Sequence, residues 1–196
     1  MTRAYCLKCD RPEKSCICHL ITVVDNDIHV VILQHPLEVK QSKGSVTLLH
    51  QSLTSSQVIV GENFSNNIEV QLLLEKYDQQ CAVLYPSDNA ILVSEENNDI
   101  TPPKCLFILD GTWKKSYKMF MSNLWLQQLP HFTLANDIVG QYQIRKTTKK
   151  NALSSLEACC YALSVLENQQ SGANRYQPLL TSFIAFNHFQ LSFNPN

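Results

Sequence analysis

Residues 105–121 read CLFILDGTWKKSYKMFM, and few folds accommodate such a run. Cys105–Leu109 is apolar, β-prone and too short for a helix, which predicts a strand buried on both faces. Asp110 ends it, Gly111 permits a tight turn, and Thr112 suits a helix N-cap. From Trp113 the spacing turns helical, with Trp113, Tyr117, Phe120 and Met121 on one side and Lys114, Lys115 and Lys118 on another. A carboxylate at the carboxyl end of a buried strand, facing a helix N-terminus, stands where open α/β sheets bind ligands. On spacing alone Asp110 also reads as a plain cap or turn residue.

The same alternation recurs along the chain. Ile28–Gln34 (IHVVILQ) is a strand buried on both faces and ended by His35-Pro36. Val46, Leu48, Leu49 and Leu53 follow at helical spacing, with Ser45 placed to cap them. Gln57–Val60 and Cys81–Tyr85 are further strands, with a helical segment at Val70–Lys76 between them and Pro86-Ser87 stopping the second. His131–Leu134 is another short strand. Asn136–Asn151 is polar and basic and reads as a loop. Ser154 and Glu157 then form a capping box for a helix, and Arg175–Phe193 closes the chain with a mostly apolar helix. Cys81, Cys105, Cys159 and Cys160 sit among apolar neighbours and are expected in the core. Strands alternating with helices predict an α/β layered domain around a mainly parallel sheet.

Cys6, Cys9, Cys16 and Cys18 are spaced C-x2-C-x6-C-x-C. Four thiolates so close in sequence can close a tetrahedral zinc site, and a segment this small does not hold together by burial alone. Four sulfurs leave no open coordination position, so the zinc is expected to be structural. The expected division is a zinc-binding knuckle at 1–22 and a catalytic domain at 23–196. Arg11 and Lys14, with Arg3 and Lys8, partly offset the charge of such a centre and are candidates for phosphate contacts.

The net charge of −1 gives no global sign of a nucleic-acid partner, but the charges are segregated. Glu62–Asp99 holds eight acids and one base, whereas Lys104–Lys150 holds eight bases and two acids. A basic face on a near-neutral protein attracts phosphates locally. No apolar run approaches the ~20 residues needed to span a bilayer, so no membrane partner is expected. MTRAYCLKC has no apolar signal core, which points to a reducing, cytoplasmic setting for the eight cysteines. Monomer and homodimer both remain open.

In chain order, CLKCDRPEKSCIC, QHPLEVKQSKGS, VLYPSDNA, LDGTW and YQIRKTTKKNALSSLEA resemble the motifs of the DTW-domain family, the tRNA-uridine aminocarboxypropyltransferases, over most of residues 5 to 160. The resemblance implies a SPOUT-like fold with a C-terminal trefoil knot, an architecture that topology rules alone disfavour. It implies S-adenosylmethionine as co-substrate and tRNA as partner, with the 3-amino-3-carboxypropyl group carried to N3 of a uridine and 5′-methylthioadenosine released. The cofactor pocket it implies is built from Ser45, Leu109, Thr112, Trp113, Leu134, Ser154 and Ser155, with Ser45 standing where threonine is usual. Asp110 is the candidate general base, because uridine N3 attacks poorly until its proton is removed. Lys114, Arg145, Lys146, Lys149 and Lys150 join Arg11 and Lys14 as candidate tRNA contacts. Two other classes fit the same residues: a methyltransferase using the same cofactor, and a non-catalytic zinc-containing RNA-binding protein.

Overall fold

The computed structural model describes residues 4–94, 100–135, 153–167 and 175–193. Six strands, β1 (His29–Gln34), β2 (Ser56–Val60), β3 (Cys81–Leu84), β4 (Ile91–Val93), β5 (Cys105–Asp110) and β6 (His131–Leu134), form one sheet in the order β2-β1-β5-β3-β6-β4. Every pairing is parallel. The helices are α1 (Val46–Ser52), α2 (Ile68–Tyr77), α3 (Trp113–Ser122), α4 (Leu124–Gln128), α5 (Ser155–Leu166) and α6 (Gln177–Phe193).

Strand periodicity sorts the core into two layers. Val30, Ile32, Leu106 and Ile108 pack with Leu48 and Leu49 of α1, Leu163 of α5 and Phe183 of α6. Val31, Leu33, Cys105 and Phe107 pack on the opposite face with Val70 of α2, Met119 and Phe120 of α3 and Leu126 of α4. This two-sided burial is why β1 and β5 carry nearly unbroken apolar sequences. Cys9 and Ile17 of the N-terminal segment are buried in the first of these layers. Among the described residues no helix is long and apolar enough to cross a membrane.

The order of strands positions the site. From β1 the chain passes over α1 to β2 on one side, whereas from β5 it passes over α3 and α4 to β6 on the other. The adjacent pair β1 and β5 is therefore a topological switch point, and a crevice opens beyond the carboxyl ends of such strands. The last residues of the two strands, Gln34 and Asp110, are register partners there.

Several expectations change in detail. Asp110 is the last residue of β5 instead of the residue after it. α3 buries Ser116, Met119 and Phe120, leaving Trp113, Tyr117 and Met121 exposed. The preceding turn lies close against this helix. A Cβ on Gly111 would come within 3.1 Å of Lys115 Cβ and 3.4 Å of Ser116 Oγ, which leaves little room there for any residue but glycine. β4 is an addition to the expected strands, a three-residue edge strand with Ile91 and Leu92 exposed. The loop expected at 136–151 and the four basic residues within it lie outside the described residues, as do parts of the C-terminal stretch expected to hold the knot.

Candidate active site and metal centre

Asp110 stands at the carboxyl end of β5, at the switch point between β5 and β1. It is buried, at 6 % exposure, and both carboxylate oxygens are held. Gln34 donates from Nε2 to Oδ2 at 3.1 Å, and Ser155 donates from Oγ to Oδ1 at 2.7 Å. One donor comes from the neighbouring strand and the other from the first residue of α5. Strand alternation turns Gln34 and Asp110 toward the layer of α1, α5 and α6, as it does Ile32 and Ile108. Ser155 reaches them because α5 begins at this end of the sheet, and the expected capping box fixes that start. Ser154 accepts from Glu157 N–H at 3.1 Å, while the Glu157 carboxylate accepts from Ser154 N–H at 2.9 Å.

The rim around Asp110 is tied together by charge. Thr112 caps α3 by accepting from Lys115 N–H. Lys115 then reaches across to Glu38, Nζ to Oε1 at 2.8 Å, and Glu38 is buried. That pair clamps the turn after β1 to the turn after β5. His35 accepts from Leu37 N–H at Nδ1 and therefore donates from Nε2 to Glu62 at 3.2 Å. Glu62 is also held by Lys118, whose hydrogen bond and charge, with those of His35, keep its carboxyl below the usual range.

The other expected pocket residues divide between the two sides. Ser45 is buried at the head of α1, on the same layer as Asp110, but its hydroxyl makes no capping bond. Ser154 lies beside Ser155, and Leu134 packs against the same core. Leu109 packs instead into the opposite layer. Thr112 and Trp113 are exposed at the start of α3, with Trp113 at 49 %. Ser155, expected as a cofactor contact, anchors Asp110 directly. Gln34 and Glu38 are additions to the expected site. The sequence signal for Gln34 is a polar side chain at the last position of an otherwise apolar buried strand.

At the N-terminus the four cysteines converge. Their sulfurs all lie within 4.8 Å of one another, Cys6 to Cys18 at 3.5 Å and Cys9 to Cys16 at 3.8 Å. A tetrahedron with Zn–S bonds of ~2.3 Å has sulfur edges of about 3.8 Å, so the cluster fits a zinc ion. All eight cysteines of the chain are free thiols. Backbone N–H groups of Cys9 and Lys8 draw Cys6 down to about 6, while desolvation and the neighbouring sulfurs push Cys18 up to about 12. The knuckle turn puts Asp10 in the left-handed region, at φ 51°, which aspartate tolerates better than most residues.

Lys14 and Lys114 are exposed, as phosphate contacts require. Arg11 is a correction. It is buried, donates to the carbonyls of Ser42 at 2.7 Å and Gly44 at 2.8 Å, and lies 5.2 Å over the Phe186 ring. Its guanidinium fastens the knuckle to the loop that ends at Ser45 and does not face solvent.

With this geometry in place, comparison with known proteins identifies the group. The DTW domain matches residues 3–191. The chain belongs to the DTW-domain family. This DTW-domain chain is 32% identical over 170 residues to the mouse (Mus musculus) protein named tRNA-uridine aminocarboxypropyltransferase 2, covering 84% of this chain and 57% of that protein. It is 31% identical over 196 residues to the Macaca fascicularis protein of the same name, covering 96% and 64%. With the Drosophila melanogaster protein of that name the identity is 29% over 174 residues, covering 85% and 68%. The chain thus spans about three fifths of the length of the mouse and macaque relatives. No solved structure matches.

Proposed function

We propose that this chain transfers the 3-amino-3-carboxypropyl group of S-adenosylmethionine to N3 of a uridine in tRNA. The observation that carries this reading is Asp110, the aspartate of D-G-T-W, held at the switch point by Gln34 and Ser155. The names of the curated relatives supply the reaction class. S-adenosylmethionine, when bound, supplies a carbon made electrophilic by the adjacent sulfonium, and 5′-methylthioadenosine leaves with the electron pair of the broken C–S bond.

The chain's own residues do the rest. Asp110 takes the proton from uridine N3, which converts a weak nucleophile into a competent one. A carboxylate has roughly four acceptor positions, so an anchor on each oxygen is compatible with accepting a proton at another. Gln34 and Ser155 fix the direction of those positions, which is the preorganisation that positioned catalysis requires. Ser45 and Ser154 lie on the same layer and are the polar groups we assign to the cofactor side. Lys14 and Lys114, with Arg145, Lys146, Lys149 and Lys150, are assigned to tRNA phosphates on the strength of their charge. A structural zinc at Cys6, Cys9, Cys16 and Cys18 keeps the knuckle folded.

The test is mass spectrometry of nucleosides from tRNA incubated with the protein and S-adenosylmethionine. Aminocarboxypropyl-uridine with release of methylthioadenosine is expected. A methylated nucleoside with S-adenosylhomocysteine would replace this reading with methyl transfer, and unmodified tRNA would overturn it.

A further inference from the structure

α3 turns a mixed apolar and basic face to solvent. Trp113, Tyr117 and Met121 are 49 %, 59 % and 48 % exposed. They stand four residues apart, so they form one stripe along the helix, with ~6 Å of rise between successive members. Ser116, Met119 and Phe120 already fill the core-facing side, so packing within the domain does not account for the stripe. Large apolar side chains grouped on a surface and rimmed by charge mark an interaction site.

The charge on α3 has one sign. Trp113–Ser122 carries Lys114, Lys115 and Lys118 and no acid. Lys114 and Lys115 lie in the first turn, where the helix dipole presents its positive end and favours anions. Glu38 offsets Lys115, and Glu62 holds Lys118, which is still 66 % exposed. Lys114 is exposed.

The stripe lies at the same end of the sheet as Asp110. Trp113 follows Asp110 by three residues, which limits the separation of their Cα atoms to ~11 Å. Tyr85 is the residue after β3, and β3 neighbours β5 in the sheet. The Tyr85 ring stacks on Phe120 of α3 at 4.1 Å, and its phenol is pushed up by burial and by the nearby Tyr117 phenol. Tyr117, one turn before Phe120, is therefore near the carboxyl end of β3, as Trp113 is near that of β5.

We propose that Trp113 and Tyr117 stack on unpaired nucleobases of the RNA beside the target uridine, with Lys114 and Lys118 on the intervening phosphates. The inference rests on the function proposed above. Every base has a π-face, and single-stranded RNA is recognised by aromatic side chains set beside cationic ones. A second copy of this chain fits the face less well, because a two-fold interface is built from the same patch twice and would set these lysines against themselves.

The experiment is a fluorescence-anisotropy titration of the full chain with labelled decauridine RNA and with an abasic ribose-phosphate strand of the same length. Wild-type protein is expected to bind decauridine about 10-fold or more tightly than the abasic strand. Tyr117→Ala should weaken decauridine binding by about 5–100-fold, with affinity for the abasic strand, affinity for S-adenosylmethionine and melting temperature all level. Tyr117→Phe keeps the ring and should bind as wild type does. Trp113→Ala should act in the same direction as Tyr117→Ala, whereas Lys114→Gln should weaken both strands alike and reduce the salt dependence. Equal wild-type affinity for the two strands, or undiminished decauridine binding by Tyr117→Ala, would overturn the proposal. A dimer seen by light scattering that Tyr117→Ala splits, with RNA affinity unmoved, would give the face to a second copy and overturn it as well. Base-dependent binding by a protein that leaves tRNA unmodified would overturn the proposed function alone. Undiminished binding by Tyr117→Ala while wild type still modifies tRNA would overturn this surface alone.

Discussion

Gln34 and Asp110 end adjacent parallel strands in register, and the Gln34 amide donates to the Asp110 carboxylate at 3.1 Å. Parts of the site that are distant in sequence are thus joined by the sheet itself. Asp110→Asn keeps shape and one acceptor while losing the proton-accepting charge. Turnover of tRNA should fall by about 100–10,000-fold, with little change in melting temperature. Near-normal turnover in a folded variant would return Asp110 to the role of a turn residue.

Gln34→Met and Ser155→Ala each remove one donor from the carboxylate. Hydrogen bonds to the charged form favour it, so losing either should make Asp110 easier to protonate. The acid limb of the rate–pH profile should therefore move to higher pH, with tRNA affinity unchanged. A lower rate with an unmoved profile would assign these residues to packing.

Purified protein should contain one zinc per chain by elemental analysis, released by a strong chelator. Removing it should lower the melting temperature, because Cys9 and Ile17 belong to the same core as α1 and α6. A metal-free protein of undiminished stability would argue against the four-cysteine centre.

Arg11→Met should lower stability by about 2–3 kcal/mol, since two charge-assisted bonds to the Ser42 and Gly44 carbonyls are lost. Denaturant unfolding reads this directly. A large loss of tRNA affinity with stability intact would put Arg11 back on the RNA surface.

His29 and His50 are half-buried, and desolvation holds both imidazoles below their usual range. The unfolded chain then takes up protons before the folded one does. Their contribution is fully present above about pH 6.5 and is lost as pH falls through the lowered folded values. Melting temperature should decline from about pH 7 to about pH 5, and the decline should flatten in a His29→Gln, His50→Gln double variant.

What was legible in the sequence was what short-range rules govern. The β5–turn–α3 unit, the Ser154–Glu157 capping box and the cysteine cluster each depend on residues within a turn or two of one another. The face that α3 buries was not legible, because it depends on tertiary contacts that bring Ser116 and Met119 inward and leave Trp113, Tyr117 and Met121 exposed. The anchoring of Asp110 by Gln34 and Ser155 depends on strand order, which periodicity does not encode. Arg11 looked like surface charge because its partners lie more than thirty residues away.

The two anchors of Asp110 come from 76 residues before it and 45 residues after it. Contacts this distant in sequence are costly to close and form late, once loop entropy has been overcome. A nascent chain that has made β5 but not yet α5 has the Gln34 anchor of Asp110 but lacks the Ser155 one. The carboxylate that the proposed function relies on is therefore fully oriented only when α5 has packed onto the sheet.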